Sequence, residues 1–267
     1  MKYVHGYTPR ETRRLREQAL ILEDLLHSDT SYPAGSSVLE AGCGVGGQTQ
    51  ILCRRSPDAK FTCIDISIDS IQQAEKMARD SGFYNAVFQE ADINSLPFQP
   101  GSFDHVFLCF VLEHLPDPIS VLKNLSNLLK PGGTLTVIEG DHGSGFWTPE
   151  SPESLRAWDG LIRSQLDHGH DPDIGRRIYP LLKTSGLEIE FVEPRWVYAD
   201  QSNSKLLDGV INQIIAPMVF SAEKQVLETG LMDKNDWETG LKDIRNVALH
   251  PEGTFFYTWF KGIARKL

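Results

Sequence analysis

The sequence predicts an α/β fold in which a doubly wound parallel sheet carries helices on both faces. Between residues 36 and 140, short apolar segments alternate with helical segments, and the connections are short. Residues 103–112, FDHVFLCFVL, are apolar on both faces, as a central parallel strand is. We expect residues 36–140 to form the core, residues 1–35 an N-terminal helical cap, and residues 141–267 helical lid segments and a strand pair that complete the same domain.

The first helix has three start signals together. Thr8 is a capping residue, Pro9 suits the first helical position, and Glu11 is placed for a capping box. The sequence therefore predicts one helix from Pro9 to about His27. Its apolar face consists of Leu15, Ala19, Leu22 and Leu26.

Five strands are predicted in the core, with helices after the first, second and fourth. The strands are SVLEAG, KFTCIDIS, NAVFQEAD, FDHVFLCFVL and TLTVIEG, which begin at residues 37, 60, 85, 103 and 134. The first helix opens at Gly47, the second is capped by Ser67 and closed by Gly82, and the third starts at Asp117 and stops at KPGG.

The alternation changes after residue 140. Residues 187–200 and 254–266 are predicted strands, and Pro194 indicates an edge or bulge in the first of them. Residues 201–250 are helical and far too long for a hairpin connection, with Pro217 kinking or ending a helix. Two further helices are predicted, one opening at Ser151 with Leu155, Trp158, Ile162 and Leu166 on one face, and one running from Pro180 to Gly186.

Composition and charge argue against several classes of function. The formal net charge of −10 and the lack of a basic stripe argue against nucleic-acid binding, and no apolar run is long enough to span a membrane. The four cysteines form no Cys-x-x-Cys pair, so we expect free thiols and a cytoplasmic location. His168 and His170 lie with aspartates in one loop without supporting partners, so no metal site is expected.

A glycine-rich loop follows the first strand, where ligands bind in such sheets. Residues 38–47, VLEAGCGVGG, contain G-x-G-x-x-G, which suits a dinucleotide or S-adenosylmethionine. Glu40 would repel a pyrophosphate by about 1–4 kcal/mol but attract an ammonium or a sulfonium group. Asp65 ends the second strand, where it could accept ribose hydroxyls in either ligand class, and Asp92 follows the third, where it could accept the adenine amine. Three acids after successive strands favour S-adenosylmethionine.

Five motifs resemble, in order and spacing, those of the class I S-adenosylmethionine-dependent methyltransferases, and among them the ubiquinone/menaquinone-biosynthesis type. They are VLEAGCGVG, IDIS, EADINSLPF, FDHVFLCFVLEHLPDP and LLKPGGTLTVIEG. The resemblance implies a Rossmann-like seven-stranded sheet with an antiparallel last strand, S-adenosylmethionine as cofactor and a small-molecule methyl acceptor. The cofactor-binding residues it implies are Glu40, Gly42, Cys43, Gly44 and Gly46 at the methionine end, Asp65 and Ile66 at the ribose, Asp92 and Ile93 at the adenine, and Phe110 near the amino acid moiety.

Two histidines at the predicted ligand edge are candidate catalytic bases. His114 follows the fourth strand, where it could accept a proton or cap the next helix. His142 follows the fifth strand and should face the same cleft. Arg176 and Arg177 could clamp a substrate carboxylate or lie in a solvated turn.

Two other functions share this pattern. An NAD(P)-dependent oxidoreductase would use the same sheet, although Glu40 disfavours its pyrophosphate. A non-catalytic S-adenosylmethionine-binding protein would use the same loop, although a large lid favours an enzyme. We expect residues 202–250 and 141–180 to cover the acceptor pocket and the N-terminal helix to close over the cofactor. The alternative for residues 202–250 is the interface of a homodimer.

Overall fold

Seven strands form one mixed sheet in the order β3-β2-β1-β4-β5-β7-β6. The structure, a computed structural model, describes residues 9–267, apart from the side chains of residues 9–13 and 16. The β2–β3, β1–β2, β1–β4 and β4–β5 pairs are parallel, and the last strands are antiparallel. The strands are β1 (Ser37–Ala41), β2 (Lys60–Asp65), β3 (Ala86–Glu90), β4 (Phe103–Cys109), β5 (Leu129–Thr148), β6 (Glu188–Asp200) and β7 (Thr254–Arg265). The expected doubly wound, seven-stranded fold is confirmed.

Eleven α-helices lie within residues 9–267, with short 3-10 turns at Leu112–His114, Ile174–Arg177 and Gln201–Asn203 and a π-helix at Gly209–Ile215. The α-helices are α1 (Pro9–Ile21), α2 (Glu23–His27), α3 (Gly47–Arg55), α4 (Ile68–Asp80), α5 (Pro118–Leu128), α6 (Pro152–Asp167), α7 (Ile178–Thr184), α8 (Ser204–Asp208), α9 (Ala216–Ser221), α10 (Glu223–Glu228) and α11 (Lys234–Asn246). Across these residues no helix has the length and apolarity needed to cross a membrane.

The chain divides into two compact units. The sheet unit comprises Leu22–Gly140, Asp173–Arg195 and Trp259–Leu267. The helical unit comprises the residues up to Ile21, Asp141–Pro172 and Trp196–Thr258. These units do not coincide with the three continuous ranges suggested by the sequence, because β5, β6 and β7 each contribute residues to both.

Local signals place the core helices where the sequence predicts them. The Ser67 hydroxyl accepts a hydrogen bond from the Ser70 amide (3.2 Å) and caps α4, and Asp117 accepts one from the Ser120 amide (3.0 Å) and caps α5. Gly82, with φ +77°, follows α4. Side-chain chemistry at the helix ends therefore determines these boundaries.

The N-terminal helix differs from the prediction, because it is two helices rather than one. The break falls at Leu22, between α1 and α2. α1 contacts the π-helix within the helical unit, whereas Leu22 and Leu26 are buried in the sheet unit, so each helix follows its own packing surface. Thr8 and the Glu11 side chain, which carry two of the predicted start signals, lie outside the described residues.

Strand β5 is longer than predicted. It continues past Gly140 to Thr148, because its backbone stays hydrogen-bonded to β7 as its neighbour in the sheet. Within the helical unit the Thr258 amide of β7 donates to the Ser144 hydroxyl at 2.9 Å. A glycine in an otherwise apolar strand is therefore not a strand end when a partner strand continues alongside.

Helix α6 forms as predicted but buries a different face. Trp158 is buried, whereas Leu155 and Leu166 are 44% and 55% exposed. The buried face carries small residues because α11 approaches closely. A Cβ on Gly240 of α11 would lie 2.4 Å from the Glu153 carbonyl oxygen and 2.9 Å from the Ala157 Cβ. Close helix packing requires small residues at this contact, and the same buried face also carries Trp158 and Leu161.

Residues 202–250 are helical as expected, and their apolar side chains form a core. Pro217 is the second residue of α9, directly after the π-helix, so the helix type changes where proline has no amide to donate. The apolar side chains around it are buried: Leu207, Val210, Ile211, Ile214, Ile215, Met218 and Val219. The segment therefore contributes a packed core to the helical unit.

A fully buried ammonium group joins β7 to the chain after α2 within the sheet unit. Lys261 Nζ donates to Asp29 Oδ1 (2.6 Å), Thr30 Oγ1 (2.6 Å) and the Leu26 carbonyl oxygen (3.1 Å). Burial lowers the pKa of Lys261, and the hydrogen bond and charge of Asp29 oppose that effect. Three acceptors at one ammonium compensate for its desolvation.

We predict that Lys261→Met lowers the free energy of unfolding by about 2–4 kcal/mol, because it leaves buried acceptors without their charged donor. Guanidinium unfolding followed by circular dichroism measures the loss. Lys76→Met is the matched control, because Lys76 pairs with Asp80 on an exposed helix surface and its loss should cost less than about 0.5 kcal/mol. Equal losses in the two variants would contradict a structural role for the buried ammonium.

Candidate functional site

The glycine-rich loop lies between β1 and α3 at the carboxyl edge of the sheet unit. Gly42, Gly44 and Gly46 all have left-handed backbones, with φ of +78°, +53° and +84°. A Cβ on Gly42 would lie 2.5 Å from Cγ2 of Val111, so both its backbone and its surroundings require glycine. The loop can therefore present backbone rather than side chains to a ligand.

Asp65, at the end of β2, holds this loop in place. Its Oδ2 accepts a hydrogen bond from the Gly44 amide (2.9 Å), and its Oδ1 accepts one from the Ser67 amide (2.9 Å). Burial raises the pKa of Asp65, while these amides and that of Ile66 oppose the rise. Because a carboxylate has about four acceptor sites, acceptor capacity remains for a ligand.

Glu40, in β1, is only 2% exposed and is bound by the protein itself. Its Oε2 accepts a hydrogen bond from the Thr49 hydroxyl at 2.6 Å, which ties β1 to α3. Burial raises the pKa of Glu40 to about 7, the hydrogen bonds of Thr49 and Cys63 oppose the rise, and the charge of Asp65 adds to it. The sequence prediction identified Glu40 but missed Thr49, whose only signal is its place in the first turn of α3.

Cys43 is a buried residue of the loop. Burial raises the pKa of its thiol well above the ordinary value, and the charges of Glu40 and Asp65 add to that rise. The thiol is therefore neutral and non-nucleophilic. All four cysteines fall within the described residues, and each is a buried free thiol.

The predicted adenine side follows β2 and β3. Ile66 is 56% exposed directly after Asp65, an apolar surface beside a carboxylate. Asp92 is exposed, and its Oδ1 accepts hydrogen bonds from the backbone and side-chain nitrogens of Asn94, both at 2.8 Å. Ile93 is half-buried and packs against the sheet-unit core. These residues border the same sheet edge, because β2 and β3 are parallel and in register from Phe61 to Asp65.

Phe110, directly after β4, has a left-handed backbone conformation that is uncommon for residues other than glycine. Its φ is +60°, and its amide donates to the Ile138 carbonyl oxygen at 2.9 Å. The next two amides, of Val111 and Leu112, donate to Oε1 of Glu139 at 2.9 and 2.7 Å. The sequence analysis missed Glu139, although an acid that ends the apolar strand TLTVIEG was a signal.

His114 lies at the end of the 3-10 turn that follows Phe110. Its Nε2 is 3.3 Å from Oε1 of Glu113. The interpretation of His114 as the cap of the following helix is wrong, because the Asp117 side chain caps α5. A short polar side chain one residue before the helix reaches the first amides more directly than an imidazole three residues earlier.

His142 belongs to the helical unit. Its Nδ1 is hydrogen-bonded to the Tyr257 hydroxyl at 2.6 Å, and its carbonyl oxygen accepts from Trp158 Nε1 at 3.2 Å. The imidazole also packs against the Trp158 ring, with centroids 5.6 Å apart. His142 is therefore held in a buried aromatic cluster.

The loop of residues 167–177 has local polar contacts. His168 Nδ1 is hydrogen-bonded to the Ser164 carbonyl oxygen at 2.7 Å, and Arg176 lies 3.8 Å from Asp173. In the part of the chain that the structure describes, no three His, Cys, Asp or Glu side chains are arranged to hold a metal ion.

A methyltransferase-domain profile matches residues 33–186, more than half of the chain. The chain is 30% identical to the 27-O-demethylrifamycin SV methyltransferase of Amycolatopsis mediterranei over 79% of this chain and 78% of that enzyme. It is 41% identical to the ubiquinone biosynthesis O-methyltransferase of Methylococcus capsulatus over 38% of this chain and 42% of the relative. The chain thus spans about four fifths of one relative and less than half of the other.

A solved structure shows the same fold. The Haemonchus contortus phosphoethanolamine N-methyltransferase 2, in complex with S-adenosyl-L-methionine, superposes with a TM-score of 0.55 at 17% identity. The superposition covers 93% of this chain and 52% of that one. Membership of the methyltransferase family indicates S-adenosylmethionine as the cofactor. The chain belongs to the methyltransferase-domain family, as a class I S-adenosylmethionine-dependent methyltransferase.

Proposed function

We propose that the chain transfers the methyl group of S-adenosylmethionine to a small-molecule acceptor. The observation that carries this proposal is the left-handed glycine loop held by the half-buried carboxylate of Asp65, with Glu40 buried nearby. The loop gives a ligand close access to backbone amides, and the two acids favour a cation over a pyrophosphate. The family membership of the chain supports the same donor.

We assign the donor's parts to the predicted residues. The methionine end lies along Glu40, Gly42, Cys43, Gly44 and Gly46, with Phe110 nearby. Asp65 accepts the ribose hydroxyls with its remaining lone pairs. Ile66 covers one face of the adenine, and Asp92 and Ile93 lie at its edge.

The reaction itself depends little on a general base. A sulfonium is a reactive methyl donor, so proximity and an in-line approach supply most of the acceleration. His114 and His142 remain the proposed proton acceptors for an acceptor hydroxyl or amine. His114 is the stronger candidate, because it follows β4 in the same unit as the glycine loop.

The alternative oxidoreductase has one sequence feature in its favour. Tyr179 and Lys183 of α7 have the Tyr-x-x-x-Lys spacing of a hydride-transfer site, and the ammonium lies over the exposed ring, 5.9 Å from its centroid. An exposed cation–π pair within one helix is an ordinary surface contact. The methyltransferase-domain match makes this alternative the weaker one.

We further propose a cytoplasmic enzyme whose residues 202–250 serve acceptor binding. Four buried free thiols suit a reducing compartment. An insertion of this length with its own packed core is more than a connection between β6 and β7 needs. A homodimer remains the alternative use of this segment.

Donor binding should release protons near pH 7. The pKa of Glu40, about 7 in the free protein, should fall when the ammonium and sulfonium of S-adenosylmethionine favour its ionised form. Calorimetry in two buffers of different ionisation enthalpy measures this release. S-adenosylhomocysteine, which lacks the sulfonium, should release less, and Glu40→Gln should abolish the difference. Equal release in wild type and Glu40→Gln, or tight NAD binding, would contradict the assignment.

Asp65→Ala should weaken S-adenosylhomocysteine binding by roughly 10- to 100-fold, since hydrogen bonds to an ionised acceptor contribute about 1.5–3 kcal/mol each. Calorimetry gives the affinity, and circular dichroism checks the fold. Asp69→Ala, an exposed acid in the first turn of α4, is the matched control and should bind normally. Unchanged affinity in folded Asp65→Ala would show that Asp65 does not hold the ribose.

Incubation with isotopically labelled S-adenosylmethionine and metabolite pools should label a small molecule, which identifies the acceptor by mass spectrometry. With that acceptor, His114→Asn should lower turnover by about 100-fold or more if His114 accepts the proton. Donor affinity, measured in parallel, should stay normal. Turnover near the wild-type rate would show that proximity alone suffices, and failure to label any molecule would refute the transferase activity.

A further inference from the structure

Glu139 is a fully buried carboxyl group to which the donor-site assignment gives no role. It ends the apolar run of β5, next to the turn of residues 110–112. Its Oε1 accepts hydrogen bonds from two consecutive amides of that turn, those of Val111 and Leu112. Burying an acid to bind a loop backbone is costly, so the geometry it maintains calls for an explanation.

The turn that Glu139 holds has a strained backbone. Phe110 has a φ of +60°, a region that residues with side chains rarely adopt. The Phe110 amide is anchored by the Ile138 carbonyl oxygen, so β5 holds three consecutive amides, two of them through Glu139. The strained backbone is maintained because three hydrogen bonds to β5 restrain the turn.

The same turn contacts the glycine loop. The Val111 side chain fills the space beside Gly42, because a Cβ on Gly42 would lie only 2.5 Å from Cγ2 of Val111. A shift of the turn would therefore move Val111 against Gly42, or away from it and open a gap. The path from Glu139 through Val111 to Gly42 is a series of direct contacts within the sheet unit.

The second oxygen of Glu139 is buried as well. Among the described residues, Oε2 has no hydrogen-bond partner. Burial raises the pKa of Glu139 to about 8, the charge of Glu113 adds to the rise, and the amides of Leu112, Val111 and Glu113 oppose it. A neutral acid still accepts both amides through its carbonyl oxygen, so this protonation state supports the observed contacts.

We propose that Glu139 is a positioning residue for methyl transfer, which holds the turn of residues 110–112 against Gly42 and so fixes the methionine end of the donor. This inference rests on the proposed donor site. Glu139 contacts neither reacting atom. Its effect on the reaction passes through the backbone of the turn.

Two substitutions test the role of the accepting oxygen. Glu139→Gln keeps a carbonyl oxygen for both amides and should behave like the wild type, whereas Glu139→Leu removes the acceptor. In Glu139→Leu, hydrogen exchange of the Val111 and Leu112 amides should accelerate by about tenfold or more, because they lose the carboxyl acceptor. If this variant does not fold, Glu139→Asp, which withdraws the carboxyl group by one methylene, takes its place.

The methyl resonance of the bound donor measures the position of its methyl group. S-adenosylmethionine labelled with carbon-13 at its methyl group should show a shifted resonance when bound to wild type or Glu139→Gln. With Glu139→Leu or Glu139→Asp, that resonance should return toward its free position, while the dissociation constant for S-adenosylhomocysteine rises less than about tenfold. An unshifted resonance in the wild type would also overturn the inference.

Lys261→Met separates positioning from general stability, because it destabilises the same unit without removing an acceptor of the Val111 or Leu112 amide. It should leave the bound methyl resonance unchanged. If it moves the resonance as much as Glu139→Leu does, or if Glu139→Leu does not move it, the inference is overturned. If the wild type then binds the donor normally and Asp65→Ala binds it more weakly, the proposed donor site still stands. If the wild type does not bind the donor, both the proposed donor site and the role of Glu139 are refuted.

Discussion

Hydrogen bonds from loop amides to buried or half-buried carboxyl groups hold the carboxyl edge of this sheet. Asp65 accepts the amides of Gly44 and Ser67, and Glu139 accepts those of Val111 and Leu112. Loops that present their backbone to a ligand cannot satisfy those amides within helices or strands. A carboxyl group at the end of a neighbouring strand satisfies two at once and fixes the loop before a ligand arrives.

This arrangement has an electrostatic cost that the donor can offset. Burial raises the pKa of Glu40 and of Glu139. The neutral form of each carboxyl group is therefore more favoured in the free protein than it would be in water. In the proposed donor complex, the sulfonium and the ammonium reverse this preference at Glu40. The proposed selectivity for a cation over a pyrophosphate then comes from the acids beside the loop, and not from its glycines.

The helical unit follows a different rule, that of close packing between helices. Small residues let α6 and α11 approach until a Cβ on Gly240 would collide with the Glu153 carbonyl oxygen, and Gly160 packs against Val226 in the same way. Large side chains fill the space around the π-helix instead. This packing explains why an insertion of some fifty residues can fold rather than remain a loop.

The sequence alone determined the sheet, its helices and the glycine loop at the sheet edge. Period-two and helical patterns, Ser67 and Asp117 as caps, and the glycine loop all act over a few residues, and their chemistry is readable there. Tertiary structure decided the rest. The length of β5 depended on its partner β7, the buried face of α6 depended on α11, and the roles of Thr49 and Glu139 depended on neighbours 9 and 28 residues away. A side chain's own sequence context does not show which distant amide or hydroxyl it will meet, because only the folded sheet brings them within hydrogen-bonding distance.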